Sequence, residues 1–321
     1  MEKNMNPDDC IHCGKCKKNC LFLQKYDIDI GDKEKLYELA YHCFLCGECS
    51  KVCPIGIDGK EIILEMRRRK VRENNGKVPE NGYSLLQFEK KDYIYKNYKN
   101  STNNTVLFPG CNFPSLFPKT TKKLMEIFKK HGIGTVFDCC GKPISELGLT
   151  KEEGEIVNRL EKNLKKHNIE EIIILCPNCY AFLKPVLNIK ITSIYEKLQE
   201  LGIGEKIEAG KVYPTCQERG NFPMFGKIEP FLDGEASFVE GIQCCGLGGC
   251  ASSKEPEISS TMAGKTKDLG KVLTFCASCT GIFDRNGGDA EHILLKILGE
   301  EENPDSKKSM INRISTRWWK V

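Results

Sequence analysis

The stretch DCCGKP at residues 138–143 carries two adjacent cysteines followed by glycine, and QCCGLGGC at residues 243–250 repeats this arrangement 105 residues later. A single cysteine precedes each pair at the same spacing, and a CxxC motif follows each pair. Self-similarity at a fixed period is typical of a duplicated structural unit. The sequence therefore predicts two equivalent units with five cysteines each. The two sets are Cys111, Cys139, Cys140, Cys176 and Cys179, and Cys216, Cys244, Cys245, Cys276 and Cys279.

Short apolar runs end at these cysteines, and amphipathic segments separate the runs. TVLFPGC (105–111), EEIIILCPNC (170–179), GKVYPTC (210–216) and GKVLTFCASC (270–279) are typical of buried strands. TKKLMEIFKKHG (121–132) has apolar residues at helical spacing and a terminal glycine. The alternation predicts parallel sheets with helical crossovers, in which the strand ends bring the cysteines to one edge.

Two further cysteine motifs lie near the N-terminus, CIHCGKCKKNC at 10–20 and CFLCGECSKVC at 43–53. Both have the spacing C-x2-C-x2-C-x3-C, in which three cysteines hold one [4Fe–4S] cubane and the fourth ligates the other cluster. Structural zinc is the alternative, but it favours two CxxC pairs separated by a longer loop. The predicted ligands are Cys10, Cys13, Cys16 and Cys53 for one cubane, and Cys43, Cys46, Cys49 and Cys20 for the other.

The composition indicates a reducing compartment and no direct membrane contact. The chain has 321 residues and 19 cysteines, but its start lacks the basic and apolar regions of a signal peptide, which predicts a cytoplasmic protein. No apolar run approaches the 18 or more residues of a membrane span, so any membrane association would require a partner. The formal net charge of +4 would be cancelled by two clusters of roughly −2 each, and no nucleic-acid partner is predicted.

The motifs together resemble the catalytic subunit of heterodisulfide reductase, in the fused form where a two-cubane ferredoxin segment precedes two CCG domains. The resemblance covers nearly the whole chain and is carried by the ferredoxin motifs and by FPGC, CCGKP, LCPNCY, YPTCQERG, CCGLGG and FCASC. Similar domains occur in iron–sulfur subunits of anaerobic glycerol-3-phosphate dehydrogenases and of glycolate and lactate oxidases. The resemblance implies an α+β multidomain protein, with a mainly helical ferredoxin domain and two duplicated α/β, Rossmann-like CCG domains.

The resemblance also implies the cofactors and the catalytic residues. Each five-cysteine set would hold a noncubane [4Fe–4S] cluster, and the doubled cysteines, Cys139 with Cys140 and Cys244 with Cys245, would supply its bridging thiolate. Gly141 and Gly246 would let the backbone approach the cluster or take positive φ. Lys142 and Arg219 would bind the acidic ends of the substrate. Cys250 is the one cysteine left over, and its role stays open, as does that of Trp318 and Trp319.

Two functions of different classes follow from this resemblance. In the first, electrons pass from two cubane clusters to two noncubane clusters and reduce a small disulfide of the CoM-S-S-CoB type. The alternative is an electron-transfer subunit of a flavoprotein dehydrogenase acting on glycerol-3-phosphate, lactate or glycolate. A cluster-bearing interaction or maturation protein is a third hypothesis. No flavin fingerprint or CxxCH haem motif is present, so the predicted electron donor is another subunit: a flavoprotein, a hydrogenase or formate dehydrogenase, or a b-type cytochrome.

The predicted domain boundaries follow the cysteine groups. They are residues 1–73 for the ferredoxin domain, 74–105 for a linker, 106–210 and 211–300 for the two CCG domains, and 301–321 for a C-terminal tail.

Overall fold

The N-terminal segment consists of short helices separated by the loops that carry its cysteines. The structure is a computed structural model and describes residues 4–219 and 223–320. The first three residues of the predicted ferredoxin domain, Gly220 of the YPTCQERG motif and Val321 of the predicted tail lie outside the described residues. The helices are α1 (Lys15–Lys18), α2 (Leu21–Lys25), α3 (Lys33–Glu38), α4 (Glu48–Val52) and α5 (Gly59–Glu73).

The segment predicted as a linker, 74–105, forms regular structure instead. It contains helix α6 (Ser84–Lys91) and strand β1 (Asn97–Asn100). Tyr83 and Tyr93 are buried on either side of the helix. The charged stretch around the helix did not predict this packing, because most of its apolar positions are isolated tyrosines.

A five-stranded sheet follows, in the order β1-β3-β2-β4-β5. Strand β1 runs antiparallel to β3 at one edge, and the remaining neighbours are parallel. Val106, Leu107 and the run Ile172–Ile174 are completely buried, since helices cover both faces of the sheet. The elements are β2 (Thr105–Phe108), α7 (Phe113–Leu116), α8 (Pro118–Lys130), β3 (Gly134–Phe137), α9 (Lys142–Glu146), α10 (Thr150–Lys166), β4 (Glu171–Ile174), α11 (Pro177–Leu183), β5 (Lys190–Ser193) and α12 (Ile194–Glu200).

A second, smaller sheet is parallel throughout and has the order β11-β10-β7-β9, while β6 and β8 form a separate pair. The protein is therefore a mixed α/β protein with parallel sheets. The elements of this region are β6 (Ile207–Glu208), β7 (Lys211–Val212), α13 (Phe225–Ile228), β8 (Leu232–Asp233), β9 (Ser237–Phe238), α14 (Pro256–Gly264), β10 (Val272–Thr274), α15 (Ala277–Arg285), β11 (Ala290–His292) and α16 (Ile293–Ile297).

The predicted C-terminal tail packs onto the first sheet and its helices. Helix α17 (Ser309–Ser315) contacts α7. The carbonyl oxygen of Trp319 accepts hydrogen bonds from Asn97 and Asn100 of β1, each at 3.0 Å. The indole of Trp319 packs edge-on against Phe137, whereas Trp318 is exposed. Residues after 300 thus complete the edge of the first sheet.

Among residues 4–219 and 223–320, no helix combines the length and the apolar character required to cross a membrane.

Candidate functional site

The first N-terminal cysteine group gathers around a small cavity. Cys10, Cys13, Cys16 and Cys53 line it, together with Cys49. Backbone N–H groups point at two of the sulfurs, from His12 to Cys10 Sγ at 3.4 Å and from Ile57 to Cys53 Sγ at 3.3 Å. The fourth cysteine of the second motif therefore lies with three cysteines of the first, as the cross-ligand rule for two cubanes requires.

The second N-terminal group lies deeper in the protein. Burial raises the pKa of the Cys20 thiol to about 11 and that of Cys43 to about 12. Cys49 lies within electrostatic range of Cys20, Cys43 and Cys46, and its pKa is raised by burial and by these neighbours. Four thiols that raise one another's pKa at a buried point lack a compensating cation, and a bound metal centre supplies one.

The ten remaining paired cysteines surround one cavity of about 390 Å³. Five of them come from the first sheet region and five from the second. The strands β2, β3 and β4 end just before Cys111, Cys139 and Cys176, and β7, β9 and β10 precede Cys216, Cys244 and Cys276. Cys139 and Cys244 are fully buried behind the cavity wall, and the other eight cysteines line it.

Within each set the thiols contact one another in the same order. In the first set Cys139 contacts both Cys111 and Cys140, and Cys179 contacts Cys140 and Cys176. The second set is joined in the equivalent way, with Cys216 Sγ 4.0 Å from Cys244 Sγ. The second cysteine of each pair accepts two thiol hydrogen bonds, which lowers the pKa of Cys140 and of Cys245. A cysteine with thiolate character is the form that ligates a metal.

The two sets and the N-terminal segment lie in contact with one another. The Cys176 thiol donates to Cys276, which joins the first set to the second. The Cys46 thiol donates to Cys244, which joins the second set to the second N-terminal group. Gln243 also donates to Cys20 Sγ at 3.4 Å. A continuous line of sulfur atoms therefore extends from the N-terminal segment, through the second set, to the first.

Gly141 and Gly246 adopt the backbone conformation that favours glycine. Their φ angles are +90° and +94°. A Cβ at Gly141 would lie 2.9 Å from Ile156, and a Cβ at Gly246 would lie 2.6 Å from the carbonyl oxygen of Ser259. Both glycines thus allow a left-handed turn and close packing on the side away from the cavity, and their contact with a cofactor stays a prediction.

The structure separates the two basic residues predicted at the substrate. Lys142 lines the cavity between Cys140 and Cys216, where it forms a buried ion pair with Glu146. Arg219 does not line the cavity. It forms an ion pair with Glu48 and donates to the carbonyl oxygen of Gln243, at the junction with the N-terminal segment. The prediction of a substrate contact for Arg219 is therefore corrected, because the ferredoxin helix α4 occupies its guanidinium.

Two basic residues that the sequence did not predict reach the cavity. Lys90 comes from α6 and Arg313 from α17, the regions predicted as linker and tail. Arg313 donates to Glu89 at 2.9 Å and to Asn112 at 3.0 Å. Their positions depend on tertiary packing of short helices, and no motif in the sequence marks them.

Comparison with known proteins agrees with this arrangement. Residues 6–57 match the 4Fe-4S dicluster domain, and residues 105–184 match the cysteine-rich domain named CCG. The structure and these matches together define an iron–sulfur electron-transfer protein of the oxidoreductase class.

The curated relatives narrow this class. An uncharacterized iron–sulfur protein of Methanococcus maripaludis is 26% identical, covering 80% of this chain and 59% of that protein. An iron–sulfur relative from Methanothermobacter marburgensis, a subunit of its fumarate reductase (CoM/CoB), is 25% identical, covering 84% and 66%. A subunit of the dihydromethanophenazine:CoB–CoM heterodisulfide reductase of Methanosarcina acetivorans is 23% identical, covering 81% and 82%. The chain combines a ferredoxin-type domain with a CCG domain, as a relative of these heterodisulfide and fumarate reductase subunits, and it spans less than two thirds of the length of the first two.

Proposed function

We propose that this protein reduces a small disulfide in the cavity between its two five-cysteine sets, with electrons received from a partner subunit. The observation that carries this proposal is that both sets line the same cavity of about 390 Å³ and meet at Cys176 and Cys276. A disulfide in that space would have one sulfur near each set. Reduction takes two electrons and two protons and yields two thiols.

Four [4Fe–4S] clusters are proposed, two cubane and two noncubane. The N-terminal groups would hold the cubanes, and each five-cysteine set would hold one noncubane cluster through Cys139 and Cys140, or Cys244 and Cys245, with its three companions. When bound, such clusters supply one electron at a time at a potential set by their surroundings. The thiolate character of Cys140 and Cys245 supports this ligand role.

The sheets support the proposal that the two units are a duplicated, Rossmann-like pair. The parallel part of the first sheet has the order β3-β2-β4-β5, and the second sheet, taken from its other edge, has the order β9-β7-β10-β11. Strands at equal places in these orders precede equivalent cysteines. The proposed domains are those predicted from the sequence, except that 74–105 and 301–321 contribute α6, β1 and α17 to the first unit.

The chain's own residues give the cavity its selectivity. Lys142 lies near both Cys140 and Cys216, so its ammonium would meet an acidic group of a substrate bound between the sets. Glu146 holds that side chain in place. A disulfide of the CoM-S-S-CoB type, which carries acidic groups at both ends, has the chemistry that this cavity would bind.

The alternative is an electron-transfer subunit that relays electrons and forms no bond itself. The relation to a fumarate reductase subunit favours this interpretation, since that enzyme contains more than one subunit. The two interpretations differ in whether the isolated chain acts on a disulfide.

Turnover of the isolated chain tests the proposal. Anaerobically purified protein, supplied with reduced viologen, should oxidise the dye when an asymmetric acidic disulfide is added, and release two thiols for every two electrons. The variant Cys245→Ser should lose this turnover. Full iron content with no turnover on any disulfide tested, combined with rapid reduction by a partner dehydrogenase, would favour the relay.

A further inference from the structure

Three buried donors at the first five-cysteine set have no hydrogen-bond partner among the described residues. They are the Lys90 ammonium, the Tyr93 hydroxyl and Arg313 Nε. All three lie within electrostatic range of Cys111, and Lys90 and Tyr93 also of Cys139. Buried polar groups in proteins are nearly always paired, so these donors face an acceptor that the protein chain does not supply. The sulfur atoms of a cluster at this set are such acceptors.

The same donors give the first set a positive surrounding. Lys90 Nζ lies 2.6 Å from Glu89 Oε1, and Arg313 Nη1 lies 2.9 Å from the same oxygen. The side chains of Lys90 and Arg313 are 4% and 19% exposed. Two cations thus share one carboxylate, which leaves an excess positive charge next to Cys111 and Cys139, where little water screens it.

The second set has neutral groups in the corresponding surroundings. Its unpaired donors are the Tyr213 hydroxyl and Thr215 Oγ1. Tyr213 lies within range of Cys216, Cys244, Cys245 and Cys279. His292, which lies near Cys276, has its pKa lowered to about 4 by burial, so its ring is uncharged at neutral pH.

The cations nearest the second set are neutralised by carboxylates. Arg219 forms its ion pair with Glu48, and Lys142 forms its ion pair with Glu146. Among the described residues, the groups that act most strongly on the thiols of Cys216 and Cys279 are other cysteines. The two sets are therefore similar in their ligands and unequal in the charge around them.

Charge near a cluster determines how readily it accepts an electron, because reduction adds a negative charge. We propose that Lys90 and Arg313 give the first five-cysteine set the higher reduction potential, so that electrons entering beside the second set collect at the first. The inference rests on the proposed function, since it requires a cluster in each set. It makes the second set, next to Cys46, the entry point and the first set the acceptor.

Potentiometric titration of the full chain, followed by EPR, tests this inference. The signal lost in Cys140→Ser identifies the first set, and the signal lost in Cys245→Ser identifies the second. We expect the first-set potential to be the higher in the wild type, and to fall in Lys90→Gln and in Arg313→Gln. Lys91→Gln is the matched control, because Lys91 is the next residue on α6, is 40% exposed and pairs with Glu152. It should leave both potentials unchanged.

The charge-conserving variant Arg313→Lys separates an electrostatic role from a structural one. It should keep the first-set potential near the wild-type value, while Arg313→Gln lowers it. A wild type with about sixteen irons, from four clusters of four, in which the second set has the higher potential would overturn this inference alone. So would equal potentials in Lys90→Gln and Lys91→Gln. A wild type that binds only about eight irons would overturn the proposed function together with the inference.

Discussion

Arg67 is completely buried and joins three parts of the chain. Its guanidinium donates to the carbonyl oxygens of Ala40 and Cys43 in the N-terminal segment, of Glu146 in the first unit and of Gly249 in the second, at 2.6 to 2.9 Å. The same group lies 5.0 Å from the ring centre of Tyr41. A planar guanidinium with several donors can satisfy four carbonyls that no ammonium could reach together.

Replacement of Arg67 by methionine should destabilise the whole chain. Four buried carbonyl oxygens would lose their donors, and each unsatisfied group costs about 1–3 kcal/mol, so we expect a loss of at least about 3 kcal/mol. Thermal unfolding under anaerobic conditions measures this. Arg68→Met is the matched control, because Arg68 is partly exposed and pairs with Glu61 at the surface, where such a pair contributes about 0–1 kcal/mol. Equal melting temperatures for the two variants would contradict this role.

At the scale of residues, the sequence predicted the cysteines well and the charged residues poorly. Cysteine spacing is local, and it reflects how many ligands a cluster takes, so the grouping of Cys53 with Cys10 and of Cys20 with Cys43 could be predicted. Arg219, by contrast, was predicted at the substrate from its motif alone, and its position depends on Glu48, which is distant in sequence.

The loop after Cys245 is the element that joins the second unit to the N-terminal segment. A Cβ at Gly248 would lie 2.3 Å from the carbonyl oxygen of Phe44, and one at Gly249 would lie 2.5 Å from that of Cys43. The extra glycines in CCGLGG therefore permit a close backbone contact with the loop that carries a predicted cubane ligand.

The variant Gly248→Ala should weaken this contact. The added methyl group meets backbone rather than a flexible side chain, and overpacking of this kind costs about 1–3 kcal/mol. Thermal unfolding of the variant should show a lower melting temperature than the wild type. Gly264→Ala is the control, since no atom lies within 4 Å of a Cβ at that position at the end of α14. The same melting temperature for both variants would show that the loop contact is loose.

At the scale of elements, long periodic segments could be predicted and short ones could not. The buried runs that became β2, β4 and β10 end at cysteines, as expected. Helix α6 and strand β1 were assigned to a linker because α6 has eight residues and β1 has four, with polar sequences whose burial comes only from neighbouring elements. Residues 309–315 gave no signal for the same reason.

At the scale of the whole molecule, the N-terminal segment is fixed onto the second unit. Glu255 is fully buried and lies 2.6 Å from Lys25 Nζ, the Tyr26 hydroxyl and His42 Nδ1. Together with the contact of Cys46 and Cys244, this network holds the second cubane group beside the second five-cysteine set. The arrangement could not be predicted from the sequence, because these contacts join residues more than 200 positions apart.

The central claim is that each of the four cysteine groups holds its own cluster. The most direct measurement is the iron and acid-labile sulfide content of the anaerobically reconstituted chain, compared with Cys140→Ser, Cys245→Ser and the cavity cysteine variant Cys250→Ser. We predict about sixteen irons in the wild type and in Cys250→Ser, and about twelve in each of the other two, with the cubane EPR signals unchanged. About eight irons in all four proteins would show that the doubled cysteines bind no cluster and would contradict the account.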